Sequence, residues 1–399
     1  MARKGGFIGQ DGINAPDEPT NVEGSAGDEQ VDVSFTSPSD QGGADVTEYR
    51  VTDSTGAHGA TGSSSPITVT GLTNGTSYTF NVWAINPFGW SSPSDASGPV
   101  APQTPNVGLF AGYFTGAAAS SHIDRINILS VGNATDFGDL SVARYSGAGM
   151  SSATRAVFGG GNDRSAGNDS NHIDYLAFST GGTATDFGDC TAQFRSMGGA
   201  SNGTYGGMFK GYEAGTASRT IQRITIASTG NATDQGDAST YAGEVAACGN
   251  TTYALVSGGR NLSSVRVNII ERAIWATISS TIDFGDLTIS RYDLGGASSS
   301  TRAVFAGGNS SSGNENTIDY VTIATTGNAT DFGDLTYARS GVSAVSNKIR
   351  AVFGANAYTN TIDYVTIATT GNATDFGDVV NIIPGGTPLA TSDSHGGIA

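Results

Sequence analysis

Hydrophobic and polar residues alternate with period two along most of this 399-residue chain, in short runs that glycine-rich turns separate. Residues 317–324 read Thr-Ile-Asp-Tyr-Val-Thr-Ile-Ala, and residues 78–84 alternate in the same way. Such alternation predicts half-buried β-strands, because successive side chains of a strand point to opposite faces of the sheet. No segment combines Leu, Ala, Glu and Lys at helical spacing. The pattern therefore predicts an all-β protein.

One strand-containing unit recurs six times in the second part of the chain. Its centre is Ala-Thr-Asp-Phe-Gly-Asp or a close variant, at steps of 50, 48, 49, 48 and 44 residues. The first Asp of each copy stands at Asp136, Asp186, Asp234, Asp283, Asp331 and Asp375. A period of about 40–50 residues with four short strands is typical of the blades of a β-propeller. Six copies predict six blades.

The order of features within each unit resembles the kelch motif: a strand, a glycine pair, a variable loop, a Tyr-bearing strand, an aromatic residue in a turn, and a closing Arg. The matching positions are Gly159-Gly160, Gly258-Gly259 and Gly307-Gly308, then Phe137, Phe187, Phe284, Phe332 and Phe376, then Arg144, Arg291 and Arg339. The third copy has Gln235 in place of the Phe, and the fourth differs around Trp275. The resemblance implies a six-bladed, kelch-like β-propeller over residues 107–399.

The two ends of the repeat region complement each other. Residues 388–395 match the small-residue strand of the other units, and residues 107–112 form a glycine-ended strand. Pairing these two strands would close the ring and remove its exposed edges. We therefore expect that deletion of residues 386–399 destabilises the whole ring.

Residues 17–100 contain short alternating strands of a different kind. Leu72 stands six residues before Tyr78, the spacing of the tyrosine corner in small β-sandwiches. With Val82 and Gly89 following, the segment resembles a fibronectin type III module, in which Phe35 takes the place of the usual core Trp. No Arg-Gly-Asp tripeptide occurs, so integrin-type adhesion has no support.

Two shorter segments complete the predicted organisation. Residues 1–16 form an extended, glycine-rich arm that carries Phe7 and Ile8. The arm has too few apolar residues to fold alone. Residues 101–106 form a linker that its two prolines make stiff. We predict that Phe7 and Ile8 anchor the arm to a larger particle.

Charge and composition exclude several functions. The chain has 36 acidic and 19 basic residues, a formal net charge of -17, which repels nucleic-acid phosphates. The two cysteines, Cys190 and Cys248, are too few for a disulfide framework, and we expect packed thiols. The N-terminus has no signal-peptide pattern and no apolar run is long enough for membrane insertion. We expect synthesis in the cytoplasm.

Candidate catalytic and metal motifs are interpreted as structural. Asp-Phe-Gly occurs five times, whereas a protein kinase carries it once beside other signatures. A glycosidase needs two converging carboxylates, and the repeated acids offer no unique pair. Asp136 and Asp139 are too few ligands for calcium, so we expect hydrogen bonds within their turn. The sequence thus predicts no catalytic residue, no metal site and no cofactor.

Histidines and asparagines follow the repeat in the same way. His122 and His172 precede Ile-Asp where later copies carry Thr317 and Thr361, so we expect the end of a surface strand and no metal ligand. The other histidines are His58 and His395. Asn-Ala-Thr sequons recur at Asn133, Asn231, Asn328 and Asn372, and without a signal peptide we expect no glycosylation.

The variable part of each unit is the loop that follows its glycines. These loops span residues 114–121, 162–171, 211–219, 260–267, 309–316 and 356–360. Loops on one face of a repeat architecture commonly form its binding surface.

The overall plan is similar to that of virion structural proteins of tailed bacteriophages, particularly phages of marine hosts. The resemblance implies a non-enzymatic fibre or decoration protein in the virion, present in many copies, with other virion proteins as partners of its arm. The propeller loops would contact a glycan or protein of the host surface, with avidity from many copies. The alternative is a bacterial surface or secreted adhesin or carbohydrate-binding protein of the same architecture, and an enzyme is a third class without candidate residues.

Overall fold

The protein consists of two β-rich units. A computed structural model describes residues 13–27, 29–102, 106–164, 168–354, 359–380 and 386–398. Chain contacts divide the molecule into Met1–Pro105 and Asn106–Ala399. Within the described ranges the one helical element is a 3₁₀ turn, η1, at Trp275–Thr277. The predicted all-β class is confirmed.

Unit 1 is a sandwich of two antiparallel sheets. Its strands are β1 (Thr20–Gly27), β2 (Gln30–Thr36), β3 (Glu48–Asp53), β4 (Gly59–Gly62), β5 (Ile67–Thr70), β6 (Phe80–Asn86) and β7 (Gly89–Trp90). One sheet has the order β1-β2-β5 and the other β4-β3-β6-β7. Phe35 packs against Tyr49 in the core, with ring centroids 4.8 Å apart. Leu72 is buried, and the Tyr78 hydroxyl accepts a hydrogen bond from the Thr73 N–H at 3.1 Å.

Unit 2 repeats one antiparallel sheet six times. The strands of the first three copies are β8 (Val107–Phe114), β9 (Ala119–Asn127), β10 (Thr135–Asp139), β11 (Ala148–Ser151), β12 (Arg155–Gly159), β13 (Asn162–Asp163), β14 (Asn168–Ala177), β15 (Gly182–Thr183), β16 (Thr185–Arg195), β17 (Gly198–Ser201), β18 (Tyr205–Phe209), β19 (Tyr212–Glu213), β20 (Thr216–Ala217), β21 (Thr220–Thr225) and β22 (Thr233–Asp237).

The strands of the last three copies follow the same plan. They are β23 (Ala246–Gly249), β24 (Tyr253–Ser257), β25 (Ile269–Ile274), β26 (Ile282–Asp286), β27 (Gly295–Ser298), β28 (Arg302–Ala306), β29 (Asn309–Ser310), β30 (Gly313–Asn314), β31 (Thr317–Thr322), β32 (Thr330–Asp334), β33 (Ser343–Ser346), β34 (Arg350–Gly354), β35 (Thr361–Thr366), β36 (Thr374–Asp378) and β37 (Leu389–Ser392).

The sheets are numbered here in chain order. Sheets 1 to 6 share a four-stranded order: β37-β8-β9-β10, β11-β12-β14-β16, β17-β18-β21-β22, β23-β24-β25-β26, β27-β28-β31-β32 and β33-β34-β35-β36. Strand β15 adds to sheet 1 beside β10, β19 and β20 extend sheet 2 beyond β16, and β13 pairs with β14. Strand β37, from the end of the chain, pairs antiparallel with β8, so that Leu389 lies opposite Ala111 and Ser392 opposite Gly108. Sheet 1 therefore contains strands from both ends of unit 2.

The first strand of each sheet contacts its equivalents in the two neighbouring sheets. These inner strands meet in the order β37, β11, β17, β23, β27 and β33, and β33 contacts β37 again. The middle strands are buried on both faces, which explains their continuous apolar runs. In β28, Val304 packs toward sheet 6 while Phe305 packs toward sheet 4.

A buried polar residue connects each sheet to the one before it. Its side chain accepts a hydrogen bond from a backbone N–H that lies within or just after the outer strand of the preceding sheet. These residues are Asp124, Asp174, Gln222, Glu271, Asp319 and Asp363, with N–H donors from Val380, Ser141, Thr191, Thr240, Thr288 and Thr336. A buried acceptor without such a partner would cost about 1–3 kcal/mol, so these bonds define which sheets are neighbours.

The closing arginines complete three of these junctions. Arg144 pairs with Asp174 at 2.7 Å, Arg291 with Asp319 at 3.0 Å, and Arg339 with Asp363 at 3.1 Å. All three guanidinium groups also donate to backbone carbonyls of the next sheet. Between sheets 3 and 4 the cation is Lys210, which pairs with Glu271.

The first glycine pair differs from the prediction by one residue. Gly160 and Gly161 have positive φ values of 61° and 117°. The equivalent pairs Gly258-Gly259 and Gly307-Gly308 also have positive φ values, between 66° and 103°. Gly159 instead belongs to β12 and lies opposite Ala148. Because three glycines are consecutive here, the sequence does not show which two form the pair. The structure does: a Cβ on Gly161 would lie only 2.7 Å from the Tyr145 carbonyl oxygen.

Candidate functional site

The inner strands all run in the same direction along the centre of unit 2. Each begins just after a residue with positive φ: Ser146 (55°), Ser196 (54°), Glu244 (59°), Asp293 (55°), Gly341 (70°) and Gly386 (77°). Five of the six inner strands end on a Ser: Ser151 in β11, Ser201 in β17, Ser298 in β27, Ser346 in β33 and Ser392 in β37. The positive-φ residues and the last residues of the inner strands are separated by roughly 17 Å along the strand, at about 3.3 Å per residue. We call the first end the axial mouth.

Backbone hydrogen bonds link the residues of the mouth from sheet to sheet. The N–H of Ser196 donates to Ser146 O at 2.5 Å, and the N–H of Glu244 donates to Ser196 O at 3.0 Å. Asp293 N and Gly341 N continue the series to Glu244 O and Asp293 O, at 3.0 and 2.9 Å. These bonds hold the mouth residues in a fixed arrangement around the axis.

Four residues of the mouth keep side chains at a cost. The left-handed region is unfavourable for residues with a Cβ by roughly 1–2 kcal/mol, whereas glycine adopts it freely. Gly341 and Gly386 occupy two of the six positions, and Ser146, Ser196, Glu244 and Asp293 occupy the other four. Backbone strain at a cavity is a reason to suspect a function for the side chains involved.

The mouth opens into a polar cavity of about 670 Å³. It is lined by Tyr145, Ser146, Asn162, Arg164, Arg195, Ser196, Glu244, Asp293, Ser340, Gly341, Gly386 and Thr387. Its volume lies in the range of small-molecule sites, about 300–1,000 Å³. Asn162 and Arg164, from the variable loop at residues 162–171, are part of this lining.

Two carboxylates from adjacent sheets meet in this cavity. Desolvation and the neighbouring charge of Glu244 raise the pKa of Asp293 to about 7. Burial also raises the pKa of Glu244, against the opposing effect of Arg260, whose Nε lies 3.2 Å from Glu244 Oε2. At neutral pH Asp293 is therefore partly protonated and can both donate and accept a hydrogen bond.

This pair corrects the expectation that no two carboxylates are set apart from the repeated acids. Glu244 and Asp293 occupy equivalent positions of sheets 4 and 5, where the other copies carry Ser or Gly. The signal in the sequence was a deviation from the repeat, and it lay outside the Asp-Phe-Gly-Asp centre. Their approach depends on the contact between sheets, which the sequence pattern does not contain.

Two arginines also line the cavity, Arg164 and Arg195. Arg164 Nε donates to the Tyr145 hydroxyl at 3.1 Å and stacks on Phe114, 4.6 Å from the ring centroid. Arg195 Nη1 donates to both oxygens of Asp169, at 2.6 and 2.8 Å. Guanidinium donors and carboxylate acceptors thus lie side by side.

The chain itself occupies the other end of the axis. After β37, Asp393 Oδ1 accepts a hydrogen bond from Val107 N at 2.9 Å, and Gly396 N donates to Ser298 O at 3.0 Å. His395 Nε2 lies 2.9 Å from Ser201 Oγ and 3.1 Å from Ser151 Oγ, while its Nδ1 accepts from Gly397 N. Residues 393–398 are called the axial plug below.

The interior between plug and mouth is narrow. A cavity of about 70 Å³ remains there, lined by small residues of the inner strands and by His395. Burial lowers the pKa of His395 to about 4, so the ring is neutral and Nε2–H is the donor toward the serines.

The remaining candidate residues have structural partners. Asp136 Oδ1 accepts from Gly138 N at 3.2 Å, which is the expected bond within its turn. His122 is partly buried, and its Nε2 lies 2.9 Å from buried Asp124 Oδ1, whereas His172 is exposed, as expected for a surface position. Cys190 and Cys248 are buried free thiols, and burial raises the pKa of each to about 12.

The predicted anchor, Phe7 and Ile8, lies outside the described residues. Over the ranges that the structure describes, no group of three or more His, Cys, Asp or Glu is arranged to hold a metal ion. In the same ranges, no helix has the length and hydrophobicity needed to cross a membrane.

Comparison with known proteins identifies one part of the chain. No curated protein matches the chain. The family model of the fibronectin type III domain matches residues 17–99. This match agrees with the two-sheet sandwich of unit 1, its Phe35–Tyr49 core and its Tyr78 corner. Residues 17–99 are therefore a fibronectin type III domain.

Proposed function

We propose that unit 2 is a six-bladed, kelch-like β-propeller and that the protein is a non-enzymatic structural protein of a tailed-phage virion. The closed order of inner-strand contacts, with β37 completing sheet 1, supports the propeller. In this proposal the protein is a fibre or decoration protein, attached to the tail or the capsid, and it binds a component of the host surface.

The observation that carries the binding role is the axial mouth. It combines a polar cavity, side chains in strained backbone positions and a hydrogen-bonded rim on a rigid framework. Because the opposite end holds the axial plug, the open end is the one available to a partner. Many copies on one particle would make weak individual contacts sufficient.

The virion assignment rests on the combination of a fibronectin type III domain with a repetitive β-unit of net acidic charge, and on fold analogy. Residues 1–16 would attach the chain to other virion proteins through Phe7 and Ile8. The domain at residues 17–99 would act as a spacer.

Mass spectrometry of density-purified particles from the source culture tests this proposal. A stoichiometric amount, at a few to a few hundred copies relative to the major capsid protein, is expected. Recovery in the cell-surface or secreted fraction, with none in particles, would overturn the virion assignment in favour of an adhesin. Substitution of Phe7 and Ile8 by Ser is expected to abolish incorporation, while Phe88→Ser on the exposed surface of the sandwich is the control.

A further inference from the structure

The axial mouth continues outward as an open groove. A second depression, of about 510 Å³, shares Asn162 and Arg195 with the mouth cavity. A third, of about 320 Å³, shares Glu213 with the second and extends to Arg219 and Asp237. We call these three connected depressions the axial groove. Its length suits a chain-like ligand better than a compact one.

Ion pairs backed by tyrosines recur along this groove. Arg195 is bonded to Asp169 and stacks on Tyr212, 5.2 Å from the ring centroid. Farther out, Arg219 pairs with Asp237 at 3.0 Å and lies 5.1 Å from the centroid of the Tyr241 ring. The outer pair is about half exposed, with side-chain exposures of 42% and 49%.

These Arg–Asp ion pairs have the hydrogen-bonding groups that two neighbouring hydroxyl groups of a sugar require. Each hydroxyl both donates and accepts, and a carboxylate beside a guanidinium offers an acceptor and a donor within a few ångströms. At the inner end, Asp293 provides both functions in one group when it is partly protonated. Tyrosine rings add flat apolar surface with a polar tip.

The lining argues against the other ligand classes. Among the residues that the structure describes, no Phe, Trp, Leu, Ile or Val lines the three depressions, so a protein partner would lack the buried apolar anchors that usually dominate such interfaces. Its charged residues are Arg164, Arg195, Arg219, Asp169, Glu213, Asp237, Glu244 and Asp293. Acids outnumber arginines, and the chain carries a net charge of -17, so a polyanion would be repelled.

We propose that the axial groove binds a neutral, hydroxyl-rich oligosaccharide, with one end in the mouth beside Asp293 and the following sugars along Arg195 and Arg219. This inference rests on the proposed binding function of unit 2 and names its ligand class. Recognition would use the hydroxyl pattern of each sugar, and tyrosine-backed ion pairs would serve as successive subsites.

The test uses the full chain and a panel of neutral tri- to hexasaccharides built from glucose, galactose, mannose and N-acetylhexosamines. Binding is measured by saturation-transfer NMR and by calorimetry, beside matched panels of uronic-acid oligosaccharides and of random peptides. We expect binding to at least one neutral series. Arg195→Ala is expected to weaken it by at least tenfold, and Arg219→Ala to weaken hexasaccharide binding more than trisaccharide binding.

Arg223→Ala is the matched control, because Arg223 stacks on Tyr205 and lines none of the three depressions. Arg195→Lys keeps the positive charge but loses the planar set of guanidinium N–H donors. We expect its affinity for the oligosaccharide to lie between those of wild type and Arg195→Ala. Circular dichroism and thermal melting establish that each variant is folded. Should Arg195→Ala fail to fold, Arg195→Lys and Arg219→Ala decide the test.

Three results would overturn the inference: no binding to any neutral series at millimolar concentration, preference for acidic sugars or peptides, or binding that is unchanged in the Arg195 and Arg219 variants. None of these depends on whether the protein is found on particles, so the virion assignment is judged separately. Hydrolysis of a bound sugar would contradict the non-enzymatic role and leave the ligand class intact.

Discussion

Asn133 and Asp378 lie 245 positions apart in the chain, yet Asn133 Oδ1 accepts a hydrogen bond from the Asp378 N–H at 3.1 Å. The same bond joins Asp189 to Asn231. It also joins Asp286 to Asn328 and Asp334 to Asn372, at 3.1 Å each. The Asn of each Asn-Ala-Thr sequence thus links its sheet to the preceding one, and the Asn133 bond links sheet 6 to sheet 1.

Asn133→Ala removes this acceptor at the contact between the two ends of unit 2. We expect a loss of about 1 kcal/mol in the free energy of unfolding, since the bond is partly exposed and water can replace it. Chemical denaturation measures the change, and exposed Lys348→Ala serves as the control. Equal stability of both variants would show that the bond contributes nothing.

The buried pair Arg339–Asp363 provides a stronger test of the sheet junctions. Both side chains are 0% exposed, whereas those of Arg219 and Asp237 are 42% and 49% exposed. Arg339→Met leaves a buried carboxylate without its cation, and we expect a loss of about 3–5 kcal/mol. Arg219→Met is expected to cost about 0–1 kcal/mol. Similar losses in the two variants, measured by denaturation, would contradict this account of the junctions.

The C-terminal strand is expected to stabilise all of unit 2. Leu389 is 0% exposed and packs in the core shared by sheets 1 and 2, so Leu389→Ala should cost about 2–5 kcal/mol. Deletion of residues 386–399 should lower the melting temperature of the whole unit. Calorimetry is the measurement, and a single transition that moves as one is expected for unit 2. An unchanged transition after deletion would contradict the role of β37 in holding sheet 1.

His395 makes the axial plug sensitive to acid. Its pKa is about 4 in the folded protein and about 6.5 when unfolded, so the unfolded chain binds more protons between these values. Its contribution to stability is therefore present above pH 6.5 and is lost as pH falls toward 4. Asp393 acts in the opposite sense, because burial raises its pKa to about 6.

His395→Gln isolates the contribution of the histidine from that of Asp393. We expect wild type to lose stability relative to this variant as pH is lowered from 7 to 4.5. Melting temperatures of both proteins across that range give the difference. A constant difference would mean that His395 does not titrate within the plug.

Asp293 should give the stability of the protein a pH dependence opposite in sign to that of His395. Its folded pKa of about 7 lies above the unfolded value of 3.8, so folded protein binds the extra proton and loses stability as pH rises through 7. Asp293→Asn removes this charge and keeps a side chain that tolerates positive φ. We expect the variant to gain more in melting temperature at pH 8 than at pH 5. The same gain at both values would contradict a raised pKa.

The amino-acid pattern alone determined the local features of this protein. Period-two alternation predicted the strands, the recurring Asp-Phe-Gly-Asp predicted six equivalent units, and Leu72 with Tyr78 predicted the fibronectin type III domain. These features depend on neighbours within a few residues, or on comparison of the chain with itself. The closing arginines were also visible as repeated positions, although their carboxylate partners were not.

Only the tertiary structure decided which distant residues meet. Glu244 and Asp293 are brought together because the residues before β23 and β27 adopt left-handed conformations and hydrogen-bond between adjacent sheets. His395 is placed against Ser151 because β37 pairs with β8. Both juxtapositions, and the desolvation that shifts the pKa values, arise from packing between sheets. A strand pattern constrains which face of a strand is buried, but the neighbour across that face is decided when the sheets assemble.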